Sequence, residues 1–372
     1  MNRNIHVDIL RGIAIFSVIL VHSAQTTLSI SNINSSNSFF RLAVYGKYGV
    51  ELFFVISGWL LASIYGFKKS KIEKSYFLRR LARIYPLWIV FLFLSIAQFE
   101  LTNSGGWSAG RTNIVGESAF LHSNWGIILV TLTFTLWLSS SLPNQIIPGS
   151  WSINAEIFHY LLFPLMRKFS YNHLFNILSV INILTITFIE FRQVISDHSW
   201  IFAKCLDAYI RTGIYSTAGY FCLGMAIFVF SENYKSTRNL SLAFQMFKFN
   251  KTNLIIYPIT FLTIPCPFGF QLEAIGYLAT IGIISVGISR SVIFSSIFKT
   301  LGKYSYFIYF MHFLVLSAIR HFANKNYFPN YPELDNPILL LFVMLIVVAV
   351  SLIFAIPSFK YFEKPFIKLA HK

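Results

Sequence analysis

Two ionisable side chains flank an uncharged apolar run near the start of the chain. Arg11 precedes the run Gly12–Val21, and His22 follows it. Because each helical residue turns by about 100° and rises by about 1.5 Å, a helix would put both side chains on one face, about 16 Å apart. Ionisable groups in an apolar segment are costly and usually face a protein interior or a wet cavity. The pair therefore indicates a path for chemistry, with a cation near one end and a titratable base near the other.

A third ionisable group, Glu156, falls near the start of a later apolar run. Histidine can accept and return a proton near neutral pH, so His22 suits general-base chemistry, although it could equally be a hydrogen-bonded packing residue. Glu156 could lie in the first turn of a helix capped by Ser152, or it could fix the tautomer of His22 and stabilise its protonated form. Arg11 could form a structural pair with Asp8, three residues earlier. The spacing alone leaves these alternatives open.

The composition indicates a membrane-embedded protein. Hydrophobic residues make up 55% of the 372 residues and charged residues 12%, with a mean hydropathy of +0.62, whereas a soluble domain carries about 25% charged residues. The first apolar run is interpreted as a retained span, because no convincing small-residue cleavage site follows it. Runs of spanning length occur at 8–28, 48–66, 84–101, 151–166, 174–191, 209–230, 253–268, 272–289, 304–322 and 337–359.

The distribution of Lys and Arg predicts how these runs are oriented. The connection 66–83 holds seven cations, which places it in the cytoplasm by the positive-inside rule. The other basic connections and the C-terminal lysines share that side only if the stretch 126–142 does not cross the membrane. The predicted fold is therefore all-α: a polytopic membrane helix bundle of about ten transmembrane helices, with 126–142 as a re-entrant or surface helix. Both termini are then cytoplasmic, and His22 and Glu156 lie at similar depth.

Other classes of function find little support in the sequence. The net charge is +16, but the cations lie in short connections and not in a basic stripe with exposed aromatic residues, so no nucleic-acid partner is predicted. The cysteines have no metal-ligand spacing and indicate neither a disulfide framework nor a metal site. The chain is expected to form a single domain, 1–372, with no fused soluble domain. The three cysteines are Cys205, Cys222 and Cys266.

Four short motifs carry ionisable or aromatic residues in an order that covers nearly the whole chain. They are Asp8-Ile-Leu-Arg11 with His22, Gly49-Val-Glu51 through Ser57-Gly58, Phe77-Leu-Arg79-Arg80-Leu-Ala-Arg83 through Pro86, and Trp151-Ser152-Ile-Asn-Ala-Glu156 with Tyr160. Together they resemble the acyltransferase 3 family, integral-membrane acyltransferases that modify glycans and lipids. The first motif keeps the family's Arg-x10-His spacing, whereas Glu51 stands where the family more usually has Asp.

The resemblance implies a membrane O-acyltransferase, and an O-acetyltransferase in particular. Acyl-CoA, expected to be acetyl-CoA, would be the cytoplasmic donor co-substrate, with no metal required. The imidazole would either remove the proton of the acceptor hydroxyl or carry the acyl group briefly itself. Guanidinium groups suit the phosphates of coenzyme A, although some of the basic charge must also anchor anionic lipid headgroups. The implied catalytic residues are His22, Glu156 and Arg11, and the implied donor-binding residues are Arg79, Arg80 and Arg83.

Several further residues are weaker candidates for the walls of a substrate cavity. Glu51 could instead pair with Lys47 across one turn, and His312 could equally be a packing residue. Glu363, in a C-terminal segment that recurs in the family, is expected to be structural. Small residues of the second run, Gly49, Ser57 and Gly58, are expected to allow close helix packing. The weaker cavity candidates are Asp8, Glu51, Trp151, Ser152, Tyr160 and His312.

By analogy with the family, the acceptor is a hydroxyl of a surface glycan or glycolipid, such as a lipopolysaccharide, capsule or exopolysaccharide sugar. The protein is then a multi-pass protein of the bacterial cytoplasmic (inner) membrane, in contact with membrane lipids. A separate extracytoplasmic partner could complete the acyl transfer. The main rival is a glycolipid transporter or flippase with a proton relay, since embedded His, Arg and Glu also mark transport paths. Against it, the sequence lacks the two related halves of many transporters.

Overall fold

The computed structural model describes residues 5–31, 38–66, 75–102, 128, 131–134, 147–166, 214–237, 268–323 and 337–370, which are helical throughout apart from short turns. A 3-10 turn, Tyr45–Tyr48, joins α2 to α3, and a π-helical turn, Phe359–Glu363, joins α10 to α11. The α-helices are α1 (Ile5–Ser31), α2 (Ser38–Val44), α3 (Gly49–Tyr65), α4 (Ser75–Thr102), α5 (Ser150–Met166), α6 (Ile214–Thr237), α7 (Phe268–Arg290), α8 (Val292–Lys303), α9 (Ser305–Phe322), α10 (Pro337–Ser358) and α11 (Lys364–Leu369).

Several of these helices are long and apolar enough to cross a membrane. Four segments of the described chain meet this criterion, and the pair α7 and α8, bent by 119°, adds a fifth if it is one broken span. The expected runs at 174–191 and 253–268, apart from Phe268, lie outside the described residues, as does most of 126–142. The prediction of a multi-pass helical membrane protein is therefore confirmed, while the count of about ten spans stays a prediction.

Helix α1 lies at the centre of the described bundle. Inside the structure, 61% of its most apolar window is buried, against 33% for α4 and for α10. It contacts α3, α7, α8, α9 and α10. Its crossing with α8 is especially close, since a Cβ at Gly12 would overlap the carbonyl of Phe298, and one at Gly302 would overlap that of Asp8. Two residues without side chains thus fix the part of α1 that carries Arg11.

A second close crossing joins α3 to α6. A Cβ at Gly58 would overlap the carbonyl of Phe221 on α6, and a Cβ at Gly224 would overlap that of Val55 on α3. Small residues at such positions let helix backbones approach and increase van der Waals contact. The packing role expected for Gly58 is therefore confirmed.

Two predicted segments are more extensively helical in the structure than their apolar runs. The run predicted at 84–101 is the later part of helix α4, which begins at Ser75, so the three arginines lie on its first turns and Pro86 lies inside it. The segment 290–303, expected to be a connection, is the helix α8, whose N-cap Ser291 accepts a hydrogen bond from Phe294. Hydropathy detects only the apolar part of a helix, and both segments mix cationic with apolar residues. The basic charge alone could not distinguish a loop from an amphipathic helix.

Candidate active site

A cavity of about 50 Å³ opens between α1, α3, α4, α5 and α9. Its wall combines three ionisable side chains and six hydroxyl groups with an apolar remainder. The ionisable members come from three different helices, so the site exists only when those helices are packed together. The polar lining residues are Arg11, Arg83, Glu156, Ser57, Ser152, Ser305, Tyr160, Tyr306 and Tyr309.

The carboxylate of Glu156 is held by hydroxyl groups on two helices. Ser57 Oγ on α3 donates to Glu156 Oε1 at 3.0 Å. Tyr160, one turn further along α5, donates to the same oxygen. Ser57 therefore does more than allow close packing, which was the role expected from the sequence. A carboxylate that accepts two hydrogen bonds from fixed donors is well oriented for binding a polar substrate.

Two arginines approach the same cavity from different helices. Arg11 on α1 and Arg83 on α4 both line it, and Arg11 is within electrostatic reach of Arg83, Glu156 and Asp8. Asp8 is buried, with 5% of its surface exposed. The two cations and the Glu156 carboxylate leave the charged lining with a net positive charge. The cavity therefore favours an anionic or strongly polar ligand.

The three predicted donor-binding arginines do not share one environment. Arg83 faces the cavity, whereas the Arg80 guanidinium lies over three tyrosine rings, with its carbon 5.4 Å from the centroid of Tyr160 and 5.9 Å from those of Tyr65 and Tyr76. Arg79 is half-buried and is not part of the described cavity wall. Cation–π contacts of this kind stabilise packing. The geometry thus separates Arg83 from its two neighbours.

His22 lies in a second polar cluster, beside another histidine. Its ring centroid is 5.4 Å from that of His312 on α9 and 4.7 Å from that of Phe313. Its Nδ1 is 3.1 Å from Gln25 Oε1, one turn along α1. The hydrogen bonds of Glu156 within the described chain come from Ser57 and Tyr160, so the structure does not form the His22–Glu156 pair that the sequence suggested.

Tyr309 and Ser152 lie between the cavity and the histidine cluster. Their hydroxyl oxygens lie 2.7 Å apart, and the carbonyl oxygen of Gly149 lies 3.1 Å from Ser152 Oγ and 3.2 Å from the Tyr309 hydroxyl oxygen. Since each hydroxyl has one proton, one of them donates to the other hydroxyl, and that second hydroxyl donates to the carbonyl. Gly149 has a φ of +75°, which favours glycine. The Tyr309 ring in turn lies 5.7 Å from that of His312. The two polar clusters are thus adjacent: the hydroxyl of Tyr309 belongs to the cavity side and its ring contacts the histidine cluster.

The remaining predicted residues take varied positions. Trp151 is half-buried at the start of α5 and is absent from the described cavity wall. Glu51 also lies outside that wall. Its Oε2 is buried and has no hydrogen-bond partner among the described residues, and Lys47 is within electrostatic reach. Within the part of the chain that the structure describes, no group of three His, Cys, Asp or Glu residues is arranged to hold a metal.

Sequence reasoning missed four residues of these clusters: Tyr306, Tyr309, Ser305 and Gln25. The three on α9 fall in the run Ser305-Tyr-Phe-Ile-Tyr309, whose hydroxyl groups recur on one helix face four residues apart. Polar groups at that spacing in an apolar segment were the available signal. Gln25 follows His22 by three residues, the distance at which side chains on one helix face meet.

Comparison with known proteins supports the family resemblance that the four motifs indicated. The family model described as "Acyltransferase domain", of the acyltransferase 3 family, matches residues 4–356. The chain belongs to the acyltransferase 3 family. No solved structure matches it.

Individual relatives of this acyltransferase 3 family member are distant in sequence. A Staphylococcus aureus (strain COL) protein named "Putative O-acetyltransferase" is 24% identical over 97% of this chain and 57% of its own length. A Bacillus subtilis (strain 168) protein named "Putative peptidoglycan O-acetyltransferase" is 28% identical over 42% of this chain and 23% of its own length. The "Protein 2 in picA locus" of Rhizobium radiobacter is 30% identical over 42% of this chain. The chain thus spans little more than half the length of the Staphylococcus relative.

Proposed function

We propose that this protein is a membrane O-acyltransferase that moves an acyl group, acetyl in particular, from cytoplasmic acyl-CoA to a hydroxyl of a surface glycan or glycolipid. Membership of the family supports the class of reaction. The observation that carries the proposal is the polar cavity lined by Arg11, Arg83 and Glu156 in the interior of the helix bundle. Burying ionisable groups in a membrane protein is energetically unfavourable, so such groups usually mark a functional site.

Donor binding is assigned to the cationic side of the cavity. Arg83 binds a phosphate of coenzyme A, because guanidinium groups match phosphate oxygens in charge and geometry. Arg11 guides the thioester along α1 toward His22, over a helical distance of about 16 Å for eleven residues. The pantetheine arm of coenzyme A has a length of the same order. Arg80, packed over tyrosine rings, supports the arrangement of α4.

His22 is the general base of the proposed reaction. It takes the proton of the acceptor hydroxyl as that oxygen attacks the thioester carbonyl, and a carbon–oxygen bond forms while the carbon–sulfur bond breaks. The proton then passes from His22 to the departing thiolate, which leaves as coenzyme A. Glu156, held by Ser57 and Tyr160, binds a hydroxyl of the acceptor and orients it.

The acceptor belongs to the cell envelope. The name of the Bacillus subtilis relative refers to peptidoglycan, and the family resemblance extends the possibilities to lipopolysaccharide, capsule and exopolysaccharide sugars. Such an acceptor reaches His22 from the outer side of a bacterial cytoplasmic membrane, while both termini of the chain face the cytoplasm. A separate extracytoplasmic protein can receive the acyl group where the final acceptor is remote from the membrane.

The test is release of free thiol from acetyl-CoA by purified protein in lipid nanodiscs, with and without a glycan acceptor. We expect thiol release that depends on the acceptor, together with a mass increase of the acceptor. Acceptor-independent release at the same rate would indicate hydrolysis. No release, with movement of a labelled glycolipid across proteoliposomes, would instead support a transporter. Loss of an acetyl group from surface glycans in cells that lack the chain would identify the natural acceptor.

A further inference from the structure

One arginine, Arg80, lies among the aromatic rings of three tyrosines. Its guanidinium carbon is 5.4 Å from the ring centroid of Tyr160 and 5.9 Å from those of Tyr65 and Tyr76. All three distances fall within the range of about 6 Å over which the face of an aromatic ring attracts a cation. The tyrosines belong to α3, α4 and α5, so this tyrosine cage exists only when the three helices are packed together.

Packing alone gives no reason for a cation in this place. Arg80 is half-buried, and its Nε is buried with no hydrogen-bond partner among the described residues. An uncharged side chain would pack against the same rings without the desolvation of a charge. Lys303 shows the ordinary arrangement, because it lies over the rings of Tyr304 and Phe359 while its own side chain is exposed. The partial burial of Arg80 therefore points to an effect on one of the rings beneath it.

Tyr160 is the member of the tyrosine cage that lines the cavity. Its hydroxyl donates to Oε1 of Glu156, which also accepts a hydrogen bond from Ser57 Oγ at 3.0 Å. Its backbone carbonyl accepts a hydrogen bond from the hydroxyl of Tyr76 at 3.1 Å. Tyr160 is thus fixed at its backbone, its ring face and its hydroxyl, and the hydroxyl ends on the cavity carboxylate.

A cation over the ring face acts on this hydroxyl in two ways. It holds the plane of the Tyr160 ring, so the hydroxyl keeps its direction toward Glu156. It also attracts electron density from the ring, which makes the O–H group a stronger donor to an ionised acceptor. Both effects fix the orientation of the Glu156 carboxylate, whose described hydrogen bonds both end on Oε1.

We propose that Arg80 is a positioning residue for Glu156: through the ring of Tyr160, it holds the hydroxyl that orients the carboxylate toward the acceptor. The proposal rests on the proposed function, in which Glu156 binds a hydroxyl of the acceptor. It assigns Arg80 to the acceptor side of the reaction, whereas the family resemblance grouped this residue with the donor-binding arginines. A misplaced acceptor lowers the rate of transfer, so Arg80 should affect kcat and not the affinity for acetyl-CoA.

The experiment compares Arg80→Gln, Tyr160→Phe and the double variant. Each purified protein is reconstituted into inside-out membrane vesicles of cells that lack the chain, and transfer of label from radiolabelled acetyl-CoA to the vesicle glycans is measured. Tyr160→Phe removes a hydrogen bond to a charged group, so its kcat should fall about tenfold to a hundredfold. The kcat of Arg80→Gln should fall about twofold to thirtyfold, the range of a cation–π contact. The KM for acetyl-CoA should stay within about twofold in both.

The double variant separates positioning from packing. Because Arg80 acts through the hydroxyl of Tyr160, the double variant should match Tyr160→Phe within about twofold. Phenylalanine keeps the ring face, so a packing role of Arg80 would still be lost in the double variant. Losses of kcat that multiply in the double variant would overturn the proposal. A KM for acetyl-CoA that rises about tenfold in Arg80→Gln would also overturn it, because Arg80 would then bind the donor.

Lys303→Gln is the matched control, since it removes a cation over two aromatic rings that are absent from the described cavity wall. Its kcat should stay close to that of wild type, and a loss equal to that of Arg80→Gln would contradict the proposal. Rates are expressed per mole of protein that elutes as one folded species. If the wild-type protein transfers label and Arg80→Gln matches it, only this inference fails. If the wild-type protein transfers no label, the proposed function fails, and this inference with it.

Discussion

Replacing Arg83 alone should separate donor binding from topology more sharply than changing the basic cluster together. The charged lining of the cavity consists of Arg11, Arg83 and Glu156, so Arg83→Gln changes its formal charge from +1 to zero. At about 6 Å and an effective dielectric constant of about 20, one charge pair contributes about 3 kcal/mol. Allowing for partial screening, we expect the Kd for coenzyme A to rise about 30-fold to 150-fold, which corresponds to about 2 to 3 kcal/mol.

The assay is binding of coenzyme A to purified protein in nanodiscs, followed by the KM for acetyl-CoA. Arg79→Gln is the matched control, because Arg79 has the same charge and lies one turn away on α4 but is absent from the described cavity wall. Its Kd should change by less than about fivefold, the usual effect of an interaction between solvent-screened charges. A larger loss in Arg79→Gln than in Arg83→Gln would refute the assignment. Unchanged coenzyme A binding in both variants would mean that Arg79 and Arg83 only fix the orientation of the chain in the membrane.

Three further changes test other parts of the structure. His22→Ala should lower kcat about a hundredfold to ten-thousandfold, the usual contribution of a general base, and undiminished transfer at normal expression would remove the proposed base. Glu156→Gln keeps an oxygen for the two donors but loses the charge; we expect at least about a tenfold loss of kcat/KM with little change in Tm, and an unchanged kcat/KM would make the residue structural. Gly58→Ala should destabilise the protein by about 1 to 3 kcal/mol, because the added Cβ meets the α6 backbone. Gly282→Ala is the control and should not destabilise it, because the space around Gly282 is open. Equal shifts in Tm for the two variants would contradict the close crossing of α3 and α6.

The polar cavity was predictable in part from local spacing. The helical interval between Arg11 and His22 placed both on one face of α1, and the helix runs unbroken over both residues. The Trp-Ser-x-x-x-Glu motif correctly marked α5, including Ser152, Glu156 and Tyr160, all of which line the cavity. Such intervals need only the period of the helix, which is a local property of the backbone.

The partners of these residues could not be predicted in the same way. Glu156 is hydrogen-bonded to Ser57, which is 99 residues away in sequence, and His22 lies beside His312, on another helix. Sequence reasoning paired His22 with Glu156 because both are ionisable and were expected at similar depth. Depth along the membrane normal does not fix the rotation of a helix about its axis, and that rotation decides which side chains meet.

The amino-acid sequence by itself determined the class of the protein, its apolar helices and the order of its chemical motifs, because hydropathy and helical period are properties of short segments. Tertiary structure alone decided that Arg83 and not Arg79 lines the described cavity, that tyrosine rings surround Arg80, and that the ring of His312 lies beside that of His22. These outcomes depend on the close crossings at Gly12 and Gly58, where backbone carbonyls of other helices occupy the space of a side chain. Contacts between distant segments are set by such packing, which no local pattern records.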